Sequence, residues 1–511
     1  MKLLEPFKSD PNGKPDTYWL TRFVLLRGMG FVYFWAFLSA ALQAKALYGE
    51  QGLLPIGQFI EAVQGDASLF DAFIERPTLF HFFTHDFALT ALGWIGAALA
   101  LAVLLGYANS IIMALLWLLY MSYVNAGQLF FGFGWESQTL ELGFLMIFLC
   151  PLWDARPFPK HETPLPIIWL FRFFLFKFYV GAGLIKLRGS ECWQDFTCLF
   201  YHFETQPIPN PLSPIMHALP EFILKFGVMF TEFLQVIAAF FVFYPRLLRI
   251  LAGLIFFTFQ SILILTGNYS FFNWVTWVPA LVLFDDRFLS YVLPNKLVQK
   301  AQEAEANKVP VKPFQNNLVY AVFGVLIWLS LPVLDNLVSK DQVMNRSYSR
   351  WALSNSYGAF GYVGTKRYEL VVSGTSDAVV GPDTVWKEYE FVAKPTDVTR
   401  GLPIIAPYQP RLDWQIWFAA QSDSSRHGWL IHVLWKFLHN DEHVLGLIEH
   451  NPFPDQPPAH IKVDRYLYEF EPPFSGNTWR RTFVEPWMGS LNKENQSLQD
   501  FIQSNNWHMY E

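Results

Sequence analysis

The chain has 511 residues, of which 52% are apolar, 18% are aromatic and only 16% are charged. An average soluble protein carries about 25% charged residues, so this composition excludes a disordered chain, a coiled coil and an ordinary soluble enzyme. The net charge of −6 gives no indication of nucleic-acid binding, and three cysteines are too few for a disulfide framework. The composition therefore predicts a polytopic membrane protein.

Apolar runs fill most of the first 339 residues. A helix that crosses a bilayer needs about 20 mostly apolar residues, and nine segments approach that length. The segment at 109–124 is short and the one at 137–153 contains Glu141, so eight or ten spans are also compatible with the pattern. The nine predicted spans are 23–46, 87–106, 109–124, 137–153, 165–187, 221–243, 247–266, 271–290 and 316–335.

Lysine and arginine are concentrated in alternate loops. They are frequent before the first span and in the loop at 291–314, whereas residues 189–220 contain none. Cytoplasmic loops are enriched in these residues, so we predict a cytoplasmic N-terminus and a C-terminus on the opposite side. That side is the lumen of the endoplasmic reticulum in a eukaryote, or the periplasm if the protein lies in a bacterial inner membrane.

The composition changes near residue 340. Residues 368–374, 386–393 and 464–470 alternate as strands do, and residues 411–420 and 428–439 have helical patterns. We therefore predict a transmembrane helical domain at 1–339 and an extracytoplasmic mixed α/β domain at 340–511.

Lys186 is the most unusual residue of the membrane domain. It ends the fifth predicted span, shortly after Gly181 and Gly183, whose small surfaces favour close helix packing. Ionisable residues inside a membrane bundle are costly and often functional, and a desolvated lysine can act as a base. In the alternative interpretation, Lys186 and Arg188 extend to the outer lipid headgroups.

Two cysteines lie in the outer loop that follows Lys186. Five residues separate Cys192 from Cys198, which allows a small disulfide ring in an oxidising compartment. A redox-active pair usually has two intervening residues, so we predict a structural disulfide.

Two histidines, His81 and His85, have the i, i+4 spacing that can bind zinc on a helix. Phe82 follows His81, where the metalloprotease motif has a glutamate, and a third ligand is not evident. We predict an amphipathic interfacial helix here and no metal site.

Three charged residues lie inside or beside predicted spans. Arg27 lies in the first span, and we expect it to pair with Glu136 or Glu141 near the start of the fourth. In a second interpretation, the two glutamates bind a cation or relay protons. In a third, they are acids at a helix N-terminus that the helix dipole stabilises.

An aromatic patch lies in the first predicted helix of the outer domain. Trp414, Trp417 and Phe418 fall on one side of that helix. They form either the domain core, in which aromatic residues are common, or a surface that binds a client protein.

Long segments across the chain resemble the lipase maturation factor family. The resemblance implies a polytopic membrane protein that assists the folding or assembly of secreted lipases, with its C-terminal domain handling the client, and no cofactor. Its expected partners are a secreted lipase or another exported protein and membrane lipids. The matching segments are 18–40, 49–55, 125–144, 177–213, 266–274, 356–363, 409–420, 447–458 and 479–481.

A shorter stretch around Lys186, FYVGAGLIKLRGSECW, is similar to part of the vitamin K-dependent gamma-glutamyl carboxylase. In that enzyme the lysine at the position of Lys186 deprotonates a reduced quinone. This resemblance implies an alternative function, a membrane enzyme that uses a quinol or another lipid at the outer face with Lys186 as the base. A transporter is a weaker option, because we find no internal repeat.

Overall fold

The computed structural model describes residues 2–8 and 13–510. Helical structure coincides with each of the nine predicted spans. Within the described residues, six helices are long and apolar enough to cross a membrane: Trp19–Tyr48, Asp86–Leu105, Leu165–Arg188, Glu221–Phe243, Arg246–Thr266 and Pro313–Val338. The protein is therefore a polytopic membrane protein, while the count of nine stays a prediction.

The main helices of the membrane domain are labelled in chain order. They are α1 (Trp19–Tyr48), α2 (Asp86–Leu105), α3 (Ser110–Ala126), α4 (Gly134–Leu149), α5 (Leu165–Arg188), α6 (Glu221–Glu232), α7 (Arg246–Thr266), α8 (Phe272–Ala280) and α9 (Pro313–Leu329). Shorter helices in the connecting segments are Ile56–Gln64, Leu69–Glu75, Glu191–Gln194, Leu199–Thr205, Ser213–His217, Asp286–Leu289, Asn295–Ala306 and Leu331–Val338.

Two of the long apolar segments are not continuous α-helices. After Glu232, α6 passes into a π-helical turn at Phe233–Ile237 and then a 3₁₀ helix at Ala238–Phe243. The last segment breaks at Ser330, just before Pro332, which has no backbone N–H to continue the hydrogen bonds of α9.

Helix α1 lies at the centre of the bundle and packs closely on α2. Its N-terminus is capped by Asp286, whose carboxylate accepts hydrogen bonds from the backbone N–H groups of Trp19 and Leu20, both at 2.7 Å. Near this end, Arg246 and Arg249 both pair with Asp285 at 2.7 Å. Thirty residues of helix extend about 45 Å, so the two ends of α1 lie on opposite sides of a bilayer.

The C-terminal domain packs against the other end of α1. Its strands are β1 (Arg367–Thr375), β2 (Lys387–Glu388), β3 (Glu390–Phe391), β4 (Ile448–His450), β5 (His460–Phe470) and β6 (Trp479–Leu491). An antiparallel sheet has the order β2-β1-β5-β6, with Thr375 opposite His460 and Phe470 opposite Trp479, and β3 pairs with β4 separately. Two predicted helices are confirmed as α10 (Arg411–Ala420) and α11 (Gly428–Leu438), and the last helix of the domain is Gln496–Ser504.

The segment that joins the domains belongs physically to the membrane domain. A carbon added at Gly181 of α5 would lie 2.8 Å from the carbonyl oxygen of Tyr357, so this segment touches the backbone of α5. The composition change near residue 340 thus marks the end of the apolar helices rather than the start of the outer sheet, which begins at Arg367.

Candidate functional site

Lys186 is buried in the wall of a cavity of about 370 Å³. Its ammonium donates hydrogen bonds to the carbonyl oxygens of Ala359 at 2.6 Å and Ala182 at 3.3 Å, and lies 5.2 Å from the centre of the Trp193 ring. Arg188 donates to the carbonyl oxygen of Leu337 at 2.9 Å. For Lys186, which is 4% exposed, the interpretation in which the side chain extends to the lipid headgroups is therefore wrong. For Arg188, which is exposed, it stays a prediction.

The cavity lies between α5, α6, α7 and the outer loop 189–220. Most of its walls are apolar, with Phe178, Phe203 and Phe230 among the lining residues. Three other lining residues, Ile223, Phe226 and Ile262, are 39%, 63% and 42% exposed. The segments Glu221–Phe243 and Arg246–Thr266 are apolar enough to cross a membrane, so we expect this exposed side of the cavity to face the lipid.

The buried polar side chains that line the cavity are those of six residues: Lys186, His202, Thr231, Gln235, Gln260 and Thr266. His202 Nε2 lies 2.9 Å from the hydroxyl of Tyr269, and Gln260 Nε2 donates to the hydroxyl of Tyr179 at 3.2 Å. Among the described residues, none donates a hydrogen bond to the side-chain oxygen of Gln235 or Gln260. These two acceptors are costly to bury unless another group donates to them.

The two glycines near Lys186 allow the close packing predicted from the sequence. A carbon added at Gly183 would lie 2.8 Å from Val236 Cγ2 and 3.0 Å from Gln235 Cβ, both in the π-helical turn after α6. The sequence does not predict this turn, because the apolar residues at 233–237 follow the pattern of an ordinary α-helix.

Cys192 and Cys198 are joined in a disulfide, as the sequence predicts, with their Cα atoms 4.6 Å apart. Between Cys192 and Cys198, Trp193 donates from its indole nitrogen to the carbonyl oxygen of Phe360 at 2.9 Å. The disulfide thus lies in the loop segment that places an aromatic ring over Lys186.

Glu141 does not pair with Arg27. Its carboxylate forms a buried ion pair with Lys177 of α5, and it accepts hydrogen bonds from the Tyr357 hydroxyl at 2.8 Å and the backbone N–H of Asn355 at 3.1 Å. Arg27 instead donates to the carbonyl oxygen of Phe23 at 2.7 Å and lies over that residue's ring. The pairing of Lys177 with Glu141 could not be predicted, because a lysine within an apolar run does not indicate its partner.

Glu136 likewise does not pair with Arg27, but with Arg411 of the outer domain. The side chains of Glu136 and Arg411 are both fully buried, with 2.8 Å between Arg411 Nη1 and Glu136 Oε1. The Tyr120 hydroxyl also donates to Glu136, and the Arg411 guanidinium lies 3.6 Å from the centre of the Phe131 ring. Glu136 therefore anchors the outer domain to the membrane domain.

The aromatic patch of α10 is divided between the core and the surface. Trp414 is 3% exposed and packs on Trp135 and Phe133 of the membrane domain, with ring centres 5.0 and 5.8 Å away. Phe418 is 43% exposed. Trp414 is thus an interdomain core residue, whereas Trp417 is half-buried and Phe418 is the most exposed of the three.

A long exposed edge strand, which the sequence analysis missed, lies near the end of α10. Strand β6 ends the order of the four-stranded sheet, and Phe483 and Val484 on it are 52% and 44% exposed. Ser422, just after α10, accepts a hydrogen bond from the Trp487 indole at 2.8 Å, so the end of α10 contacts this strand. A free edge presents unpaired backbone groups that can bind another extended chain.

His81 and His85 do not share a helix. Residues Leu79–His81 form a 3₁₀ turn, and α2 starts only at Asp86, with His85 at its N-cap position. His81 Nε2 lies 3.0 Å from the carbonyl oxygen of Arg76. The predicted amphipathic helix through these residues is therefore wrong, since the chain turns between the two histidines.

Comparison with known proteins assigns both domains. The family model described as the lipase maturation factor transmembrane domain matches residues 20–291, and the one described as the lipase maturation factor C-terminal domain matches residues 353–489. No solved structure matches the chain.

The chain is also similar to named proteins over nearly its whole length. It is 40% identical to lipase maturation factor 1 of Bos taurus, over 98% of this chain and 94% of the bovine protein. It is 38% identical to lipase maturation factor 1 of Homo sapiens, over 97% and 93% of the two chains. Lipase maturation factor 2 of Homo sapiens is 29% identical, over 94% and 84%. The chain therefore belongs to the lipase maturation factor family.

Proposed function

We propose that this protein is a membrane-embedded maturation factor for secreted lipases, with the C-terminal domain contacting the client outside the cytoplasm. The observation that carries this proposal is the similarity to lipase maturation factor 1, which extends over both domains. The alternation of basic loops supports a cytoplasmic N-terminus and an outer domain in the endoplasmic reticulum lumen of a eukaryote or the periplasm of a bacterium.

We propose further that the client binds along β6 and the exposed end of α10. The support is the combination of an unpaired sheet edge with exposed apolar side chains, Phe483 and Val484, and the neighbouring Phe418. A partly folded client has exposed strands, and adding one to a sheet edge gives backbone hydrogen bonds while side-chain contacts select the partner.

The test of the function is a secretion assay. The full chain and a secreted lipase are expressed together in cells that lack their own lipase maturation factor, and lipase activity in the medium is divided by lipase antigen in the cells. We expect this ratio to rise several-fold over cells without the chain. An unchanged ratio with well-expressed protein would refute the proposal.

The client surface is tested by Phe483→Asp combined with Val484→Asp. The matched control is Val379→Asp combined with Val385→Asp, since Val379 and Val385 are 83% and 68% exposed and lie between β1 and β2, the strands at the other end of the sheet order from β6. We expect the β6 variant to lose most of the secretion and the control to keep it. Equal secretion by both would mean that the client binds elsewhere.

The alternative function, a membrane enzyme with Lys186 as base and a quinol as cofactor, is not favoured. Lipase maturation factors 1 and 2 match this chain over more than nine-tenths of its length. A catalytic role for Lys186 and the use of a quinol stay predictions of that alternative.

A further inference from the structure

The cavity beside Lys186 has a role that client binding does not explain. Its exposed lining residues Ile223, Phe226 and Ile262 lie on α6 and α7, the side that we expect to face the lipid. A volume of about 370 Å³ lies near the lower end of the range for small-molecule sites, which is about 300–1,000 Å³. The apolar walls and the lateral opening suit a lipid chain.

The polar end of the cavity requires hydrogen-bond donors as well as acceptors. Gln235 and Gln260 are 5% and 3% exposed, and their side-chain oxygens have no donor among the described residues. The Lys186 ammonium has three hydrogen atoms and donates to two carbonyl oxygens, which leaves one donor free. A ligand head group with both a hydroxyl and a carbonyl would satisfy all three side chains.

The charges near the cavity favour a neutral head group. Glu232 follows the lining residue Thr231 at the end of α6, so an acidic residue lies beside the cavity as well as the basic Lys186. Among the lining residues, the basic side chains are Lys186 and His202, and none is an arginine that could bind a phosphate with two parallel hydrogen bonds. A fatty acid anion would add a second negative charge and offer no donor to the glutamine oxygens.

The backbone around the polar end has an irregular geometry. Gln235 belongs to the π-helical turn after α6, and single π-helical turns occur frequently at functional sites. The turn packs against Gly183 of α5. Lys186 follows Gly183 by three residues, which is about one helical turn. The irregular turn thus places a buried amide next to the lysine.

From these observations we infer that the cavity binds a neutral single-chain lipid with a hydroxylated ester head group, the chemical class of the monoacylglycerols. The acyl chain lies among the aromatic side chains of α5 and α6 and enters from the bilayer between α6 and α7. The ester carbonyl accepts from Lys186, and the hydroxyl groups donate to Gln235 and Gln260. This inference does not depend on which client the outer domain binds.

The test uses the purified full chain in detergent with a monoacylglycerol analogue that carries a diazirine in its acyl chain. After irradiation, labelled peptides are mapped by mass spectrometry, with excess mono-oleoylglycerol, oleate or lysophosphatidylcholine as competitors. We expect labels in α6, α7 and the loop 189–220, and a decrease of at least about tenfold with mono-oleoylglycerol only. Equal competition by oleate or lysophosphatidylcholine, or labels spread over all lipid-facing helices, would overturn the inference.

A space-filling variant provides the matched comparison. A carbon added at Gly227 would lie 2.7 Å from Leu199 Cδ1, so Gly227→Phe places its ring among the cavity walls. Gly324 on α9 has nothing within 4 Å of an added carbon, so Gly324→Phe is the control. We expect labelling to fall at least about tenfold in Gly227→Phe and to stay unchanged in Gly324→Phe. Unchanged labelling in both would contradict the assignment.

A second variant separates ligand binding from folding. Gln235→Met keeps the side-chain length but removes an acceptor oxygen that no described residue donates to, so burial of the methionine is not expected to destabilise the bundle. We expect a several-fold weaker competition by mono-oleoylglycerol with an unchanged melting temperature. Unaltered competition would show that the amide does not contact the head group and would overturn the inference.

Discussion

Single residues decide how the two domains and the connecting segment stay together, and Lys177 is the clearest case. Its side chain is 1% exposed and pairs with Glu141, which also accepts hydrogen bonds from the segment at 355–357. The pair links α4, α5 and the chain that follows the last membrane helix. None of these contacts could be predicted from the residues, because their partners lie more than 30 positions away.

Removing this lysine should destabilise the membrane domain strongly. In Lys177→Met, Glu141 is left as an uncompensated buried charge, which typically costs about 3–5 kcal/mol. We expect a markedly lower melting temperature in detergent. The control is Arg156→Ala, since Arg156 is 62% exposed and pairs only with Asp154. A melting temperature for Lys177→Met as high as that of the control would show that the pair is not needed.

His432 should make the outer domain sensitive to acid. Burial, with a contribution from Lys436, lowers the pKa of His432 to about 3, and its Nδ1 lies 2.9 Å from the carbonyl oxygen of Leu53. In the unfolded chain a histidine takes up a proton near pH 6.5, so the stability that neutral His432 contributes is present above that pH and is lost as the pH falls toward 3. The loss by pH 5.5 is about 1.4 kcal/mol.

The pH effect is measured as the difference between two slopes. Melting temperatures of the wild type and of His432→Gln are recorded between pH 7.5 and pH 5.5. We expect His432→Gln to be less stable at pH 7.5 but to lose less stability on acidification, because glutamine does not titrate. Parallel curves for the two proteins would rule out His432 as the acid-sensitive group.

At the scale of elements, close packing of α1 on α2 depends on small residues. A carbon added at Gly30 of α1 would lie 2.6 Å from the backbone nitrogen of Leu104 and 3.1 Å from the carbonyl oxygen of Ala100. Backbone atoms cannot rotate away as a side chain can. The two helices therefore have to separate if residue 30 gains a side chain.

We expect Gly30→Ala to cost about 1–3 kcal/mol, as overpacking commonly does. The matched variant is Gly324→Ala in α9, where an added carbon meets nothing within 4 Å. Because alanine is the better helix former by up to about 1 kcal/mol, the α9 variant should be as stable as the wild type or more so. Melting temperatures in the same detergent compare them, and equal values would disprove close contact between α1 and α2.

The elements differ in how well the sequence predicts them. The helices at 411–420 and 428–439 are confirmed within a residue or two because their apolar residues follow a helical period. The predicted strand at 386–393 is divided into β2 and β3, which join different sheets. Strand β6 was missed because its exposed residues show no clear alternation, and its existence depends on pairing with β5.

At the scale of the whole molecule, Arg411 connects the outer domain to the membrane domain. Its guanidinium donates to Glu136 and to the carbonyl oxygen of Phe130, and its backbone N–H donates to Gln43 of α1 at 3.0 Å. In Arg411→Met, Glu136 is buried without a cation, at a typical cost of about 3–5 kcal/mol. The outer domain should then separate more readily, and limited proteolysis of residues 339–366 should be faster.

Two comparisons make this prediction specific. Arg480→Met removes an exposed ion pair with Glu469 and should leave proteolysis unchanged. The double variant Arg411→Met/Glu136→Leu replaces both charges by apolar groups and should recover much of the lost stability. If Arg411→Met alone is cleaved no faster than the wild type, the ion pair does not hold the domains together.

The sequence by itself determined the apolar helices of the membrane domain and the family, while the placement of the C-terminal domain outside the cytoplasm stays a prediction. Apolar segments of bilayer length, alternating basic loops and long family-specific segments are local features, and local features can be read along the chain. The Cys192–Cys198 disulfide is also of this kind, because its two residues are close in sequence.

The tertiary structure alone decided which charges meet and where the cavity lies. Arg27 was expected to pair with Glu136 or Glu141, but those acids pair with Arg411 and Lys177. A buried charge is stabilised by whichever opposite charge the fold brings within a few ångströms, and sequence distance has no influence on that choice. The same holds for the cavity, in which α5, α6, α7 and the outer loop bring Lys186 next to Gln235 and Gln260.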